Sequence, residues 1–299
     1  MKYQKIVPHL WFDTEAGEAV EWYTEIFPES EITFRKVIKD TPSGDSEQLG
    51  FKLMGYEFMA ISAGPFAKKN PSISFIVQIN KQNEHLIDEM YEKLMEDGGT
   101  ELMPLDKYPF NDKYGWIEDK YGTSWQFWLR DHRNGKNHIV PSLMFVNENK
   151  GKATDAMNLY VDTFKKSEHL ASRNYPTGME PNTEDLVMHA EAKLGKKRFS
   201  FQDSGYEHDF QFSEGISLMV KCDDQKEIDK YWSALSADPD AEQCGWLKDK
   251  FGVSWQIVHK AMDEMMTEGT EEQLQRVTEA FLKMKKFDIA KLEAAYKGK

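Results

Sequence analysis

A chain of 299 residues that is 40% hydrophobic and 13% aromatic is globular and long enough for two domains, each with its own core. Its 38 Lys+Arg against 51 Asp+Glu leave a net charge of −13, which repels nucleic acid and anionic membrane surfaces and argues against either as a partner; the plain reading of the acidity is solubility. Cys222 and Cys244 make no disulfide framework, no run approaches the roughly 20 apolar residues of a membrane span, and the N-terminus does not resemble a signal peptide, so a soluble, reduced, cytoplasmic protein is expected.

In chain order, Ile6–Phe12 is a short β-rich apolar run, and Thr14 is placed to cap a helix over Glu15–Phe27, where Ala16, Val20, Tyr23 and Phe27 recur at helical spacing. Strand-like runs follow at Ile32–Ile38, Gln48–Met54 and Glu57–Ser62. The pattern restarts with a strand at Ile73–Ile79 and a helix near Glu84–Met95, stopped by Gly98 and Gly99. A hairpin closes the unit, with Asp119 and Gly122 at the first and fourth positions of a type I turn.

The whole unit then recurs. Gly-Trp-x-x-Asp-Lys-x-Gly-x-Ser-Trp-Gln runs from Gly115 to Gln126 and again from Gly245 to Gln256. Ile6–Phe12 matches Ile139–Phe145, and Ala19, Tyr23 and Phe27 match Ala156, Tyr160 and Phe164. The chain is therefore a tandem duplication joined by a polar linker at Asp131–Asn137, each copy reading as strand-helix-strand-strand-strand run twice. The second copy's helices are expected over Gly151–Phe164 and Gln225–Leu235. Beyond Lys260, Thr270 and Gln273 form a capping-box pattern for a helix to about Met284, with an apolar stripe of Val277, Phe281 and Met284; Asp288 can cap a last helix toward Tyr296. The expected division is 1–132, 138–261 and a helical extension over 262–299.

Paired modules of this kind, ending in the repeated Gly-Trp…Ser-Trp-Gln hairpin, resemble the PhnB-like branch of the vicinal oxygen chelate superfamily, which includes glyoxalase I, extradiol dioxygenases and fosfomycin- and bleomycin-resistance proteins. The resemblance covers roughly residues 4–131 and 138–261. It implies an α+β fold of two tandem domains, each built from two βαβββ modules that curve into an open cup. Members of this branch have carried the label of a ubiquinone-pathway methyltransferase, but no Gly-rich loop after a strand is present to hold S-adenosylmethionine.

The superfamily carries metal ligands on the first and last strands of its modules. Strand alternation puts Val7, His9 and Trp11 on one face, and Ser124, Gln126 and Trp128 on the cup face of the last strand, so His9 is expected to face Gln126. Ser74 takes the third position and Met59 or Ile61 the fourth, with Glu57 the nearest carboxylate. His9 and Gln126 are thus the candidate ligands of a divalent metal in the first copy, with His9 alternatively a general base or a hydrogen-bonding pocket residue. In the second copy Ser142, Ser217 and Gln256 replace them, a set that suits hydrogen bonds to a polar ligand better than a metal. His189 and Glu191 share a face there, either as an acid–base pair or as an exposed strand face. Trp116, Trp246, Trp125 and Trp255 are expected in the core, while Trp11 and Trp128 are candidates for stacking on a ligand.

Three functions remain in view. The leading one is binding or sequestering a small molecule, with His9, Trp11, Ser74, Gln126, Trp128, Ser142, Ser217 and Gln256 as contacts. The alternatives are a metal-dependent lyase, isomerase or dioxygenase, and a structural or regulatory module with vestigial sites. The two copies are expected to pair within the chain, leaving further dimerisation open.

Overall fold

The computed structural model describes residues 3–41, 44–96, 98–130 and 136–299. The expected linker at 131–137 lies outside the described residues up to 135. The first copy holds β1 (Ile6–Phe12), α1 (Ala16–Ile26), β2 (Glu31–Thr41), β3 (Gly44–Leu53) and β4 (Tyr56–Ser62), followed by β5 (Ile73–Asn80), α2 (His85–Glu96), β6 (Thr100–Tyr108), β7 (Asn111–Glu118) and β8 (Ser124–Arg130). The second holds β9 (His138–Phe145), α3 (Ala153–Thr163), β10 (Glu168–Asn174), β11 (Val187–Leu194) and β12 (Lys197–Asp203), then β13 (Ile216–Cys222), α4 (Gln225–Leu235), β14 (Trp246–Lys248) and β15 (Ser254–His259). Helices α5 (Ala261–Glu268), α6 (Glu271–Phe281) and α7 (Ile289–Lys297) form the extension. The tandem α+β architecture is the expected one.

The pairing of modules is not. One sheet runs β14-β15-β13-β1-β4-β3-β2 and the other β10-β11-β12-β9-β5-β8-β7-β6. Each sheet therefore joins one module from each copy, edge to edge, through β1 against β13 and β5 against β9. Within a copy the two modules instead pack back to back through their apolar faces. Phe58 on β4 meets Phe75 on β5 with ring centroids 5.1 Å apart, and Trp125 on β8 packs on Tyr23 and Phe27 from the α1 side. Expecting each copy to form its own cup was thus wrong: the cups are shared between copies.

The repeated motif explains the back-to-back packing. Asp119, 4% exposed, accepts hydrogen bonds at Oδ2 from the Tyr23 hydroxyl at 2.7 Å and from Trp125 Nε1 at 2.8 Å. Its Oδ1 accepts from the backbone N–H groups of Tyr121 and Thr123, both at 2.9 Å. Asp249 does the same with Tyr160, Trp255, Phe251 and Val253. Burial pushes both carboxyls up, and the donors around them pull the other way. Trp125 and Trp255 are fully buried, as expected of core residues.

Two local readings change. Thr14 does not cap α1; the Ala16 N–H donates instead to Ser62 Oγ at 3.1 Å, so β4 caps the helix. The fourth module is short of one strand among the described residues. Where β6 stands in the first copy, the chain makes a short turn at Pro239–Ala241 instead. The exposed edge at the start of β14 is covered by the extension instead, with Cys244 N–H donating to Met284 O and Gly245 N–H to Lys285 O, both at 2.8 Å. The capping box at Thr270 and Gln273 and the Asp288 cap form as expected; α5 was not foreseen.

Candidate functional site: a roofed cup and a self-filled cup

The concave face of the β14–β2 sheet carries Val7, His9 and Trp11 from β1, Met59 and Ile61 from β4, Ser217 and Met219 from β13, and Gln256 and Val258 from β15. The extension roofs it. A partly covered cavity of about 530 Å³ lies there, with Met262, Phe281, Leu282 and Phe287 from the extension lining it together with His9, Trp11 and Trp246. That size falls within the range of small-molecule sites.

His9 is 3% exposed, and its Nδ1 has no hydrogen-bond partner. Burial pushes the imidazole down to about 3, so the ring is neutral at ordinary pH. Trp246 stands edge-on to His9, with ring centroids 5.8 Å apart. Gln256 Nε2 donates to Ser217 Oγ at 2.9 Å, and Trp11 Nε1 donates to Gly64 O at 2.7 Å.

The expected pairing of His9 with Gln126 is not formed, because β1 and β8 belong to different sheets. His9 lies directly opposite Ser217 and beside Met59, and it shares its cup with Gln256. The four positions are thus an imidazole, a thioether, a hydroxyl and an amide whose N–H is already engaged. Only the imidazole is a strong ligand for a hard divalent ion, the thioether being soft and the neutral hydroxyl and amide weak, so this set is a poor match for one. Among the described residues no cluster of three His, Cys, Asp or Glu could hold a metal.

The other sheet brings together Ser74, Gln126, Ser142 and Trp128. Gln126 Nε2 donates to Ser74 Oγ at 2.8 Å and Gln126 Oε1 accepts from the Tyr114 hydroxyl at 2.8 Å, while Ser142 Oγ is buried without a partner. Trp128 does not join Trp11; it packs on His189 with centroids 5.5 Å apart. Glu191 accepts from Arg198 Nη1 at 2.5 Å and Arg130 Nη2 at 3.4 Å. Burial pushes its carboxyl up, but the hydrogen bond from His189 and the two guanidinium charges win and hold it at about 2. A carboxylate held that low is a poor proton acceptor, which disfavours the acid–base reading of His189 and Glu191.

The sequence reading missed Trp246, which it placed in the core, and the roof residues. Both left a signal. Trp246 lies opposite Gln256 on β14, so its side chain shares the cup face, and the Val277–Phe281–Met284 stripe had to cover something apolar.

A family model described as 3-demethylubiquinone-9 3-methyltransferase matches residues 4–128 and 137–258, and the chain belongs to that family. A solved PhnB protein from Bacillus cereus is 37% identical over 42% of this chain and 100% of its own, with a TM-score of 0.39. Glyoxalase I from Zea mays is 11% identical over 87% of this chain and 96% of its own, with a TM-score of 0.56, and shares the fold. No match was found among curated proteins. The chain is thus a tandem PhnB-like protein with the glyoxalase fold. No described helix is long and apolar enough to cross a membrane.

Proposed function

We propose that this chain binds a small molecule in the roofed cup and works by enclosing it, without a catalytic metal. The carrying observation is a partly covered, largely apolar cavity of about 530 Å³ whose wall includes a neutral imidazole at His9 with no hydrogen-bond partner at Nδ1. Trp11, Ser217 and Gln256 act with His9 in this cup. Ser74, Gln126, Ser142 and Trp128 belong to the other, where side chains occupy the concave face. The methyl transfer named in the family description is not part of this reading, because neither sheet is the doubly wound parallel sheet that cradles a nucleotide-like cofactor.

Mass spectrometry of untagged protein purified without chelator tests the metal side, with His9→Ala alongside. Substoichiometric metal in both is expected; about one divalent ion per chain, lost in the variant, would overturn the reading. A thermal-shift screen tests the binding side, where saturable stabilisation by at least one small apolar compound is expected.

A further inference from the structure

The ligand's chemical class follows from what lines the roofed cavity, given the binding reading above. Among its described lining residues the only oppositely charged groups are Glu214 and Lys248, and they are ion-paired with each other. No other described cation or carboxylate faces the space. A charged ligand would give up its hydration there and meet no counter-charge, a loss that burial of an ion does not recover without pairing. The Arg130–Glu191–Arg198 network, which does carry charge, lies on the other sheet.

The apolar lining is aromatic. Trp11, Trp246, Phe34, Phe66, Phe281 and Phe287 all face the cavity, and Trp11 and Trp246 meet at 74° with centroids 5.9 Å apart, an arrangement that presents ring faces and edges to a flat guest. Phe66 is 75% exposed while still lining the cavity, which places it at the mouth, where an entering ring can stack on it. Met59, Met219 and Met262 supply deformable surface between the rings.

The uncharged polar lining includes Gln48, Gln243, Ser254 and Gln256 beside the ring of His9. His9 Nδ1 is buried out of the cavity's reach, so Nε2 is the ring atom open to a guest; it is a bare lone pair or an N–H according to the tautomer, and a hydroxyl group satisfies both because it donates and accepts. We propose that the roofed cavity selects an uncharged aromatic molecule bearing one hydroxyl group, with the rings among Trp11, Trp246 and Phe281 and the hydroxyl paired with His9.

Equilibrium dialysis of the full chain at pH 7 against 2-naphthol, naphthalene and 2-naphthoate separates the components of this proposal. 2-Naphthol is expected to bind about tenfold tighter than naphthalene, the worth of one hydrogen bond to a buried group, and naphthoate weakest of the three. His9→Leu is expected to bring naphthol down to the naphthalene affinity while leaving naphthalene within about threefold. Naphthoate binding as well as naphthol would overturn the class, as would a naphthol preference that survives His9→Leu. The wild-type comparison stands by itself if the variant fails to fold. Absence of saturable binding by all three would overturn the enclosing-cup reading as well, so the two failures are distinguishable.

Discussion

At the scale of single residues, the repeated aspartates and His9 do opposite kinds of work. Asp119 and Asp249 each collect two side-chain and two backbone donors at the hairpin turn, fastening the last strand of each copy to the first helix of that copy's other module. Replacing Asp119 by Ala leaves the Tyr23 hydroxyl, the Trp125 indole and two backbone N–H groups buried without an acceptor. A loss of about 3–5 kcal/mol is expected in denaturant unfolding; a loss under about 1 kcal/mol would contradict that account. His9 is a buried imidazole whose Nδ1 has no partner, and it makes stability depend on pH. The folded ring is held near 3 and the unfolded ring titrates near 6.5, so the unfolded chain takes the proton first as pH falls. The neutral ring's contribution is complete above pH 6.5 and is lost progressively toward pH 3, by up to about 1.4 kcal/mol per pH unit. In His9→Leu this one-proton component should vanish from the slope of stability against pH between 6.5 and 4; equal slopes in the two proteins would show that His9 is not the group responsible.

At the scale of elements, the C-terminal extension compensates for a missing strand and builds a site in doing so. The short β14 leaves an edge that Met284 and Lys285 cover by accepting hydrogen bonds from Cys244 and Gly245. The segment is tied again where Gln225 donates from Nε2 to Phe287 O at 3.0 Å and accepts at Oε1 from Ile289 N at 2.9 Å. Helices α6 and α7 hold together through Arg276, whose Nε donates to Ala295 O at 2.9 Å, and bury Val277 and Leu292. Truncation after Lys260 should leave both sheets folded by far-UV circular dichroism and weaken binding of any cavity ligand by at least about tenfold, since four apolar roof residues are lost. Unchanged affinity would show that the cup needs no roof. The amphipathic stripe and both caps of α6 and α7 were legible in the sequence; the target of the stripe was not, because periodicity gives a face and not its partner.

At the scale of the whole molecule, the roofed cup takes His9, Trp11 and Met59 from one copy and Met219, Trp246 and Gln256 from the other. Neither copy alone can assemble it. Separating the chain between Arg130 and Asn137 should abolish ligand binding in each half and restore it when the halves are co-expressed, as read by calorimetry. Binding retained by either half alone would show that the shared sheet is unnecessary. The Lys5–Glu227 ion pair at 2.5 Å, largely buried at 16% and 12% side-chain exposure, spans the same junction and would be broken in either half. The duplication, the modules, the turn chemistry and the side-chain parity of His9, Trp11, Gln126 and Gln256 were all determined by the sequence, because repeats, spacing and strand alternation are local properties. Which edges join was decided only in three dimensions. The opening strands of all four modules are apolar on both faces, so β1 could as readily be written against β5 as against β13, and only the back-to-back packing of each copy's helices and tryptophans leaves β13 as its neighbour. That choice separated His9 from Gln126, put it with Gln256 under the extension, and made a largely apolar chamber where the family resemblance together with strand parity had suggested a metal pair.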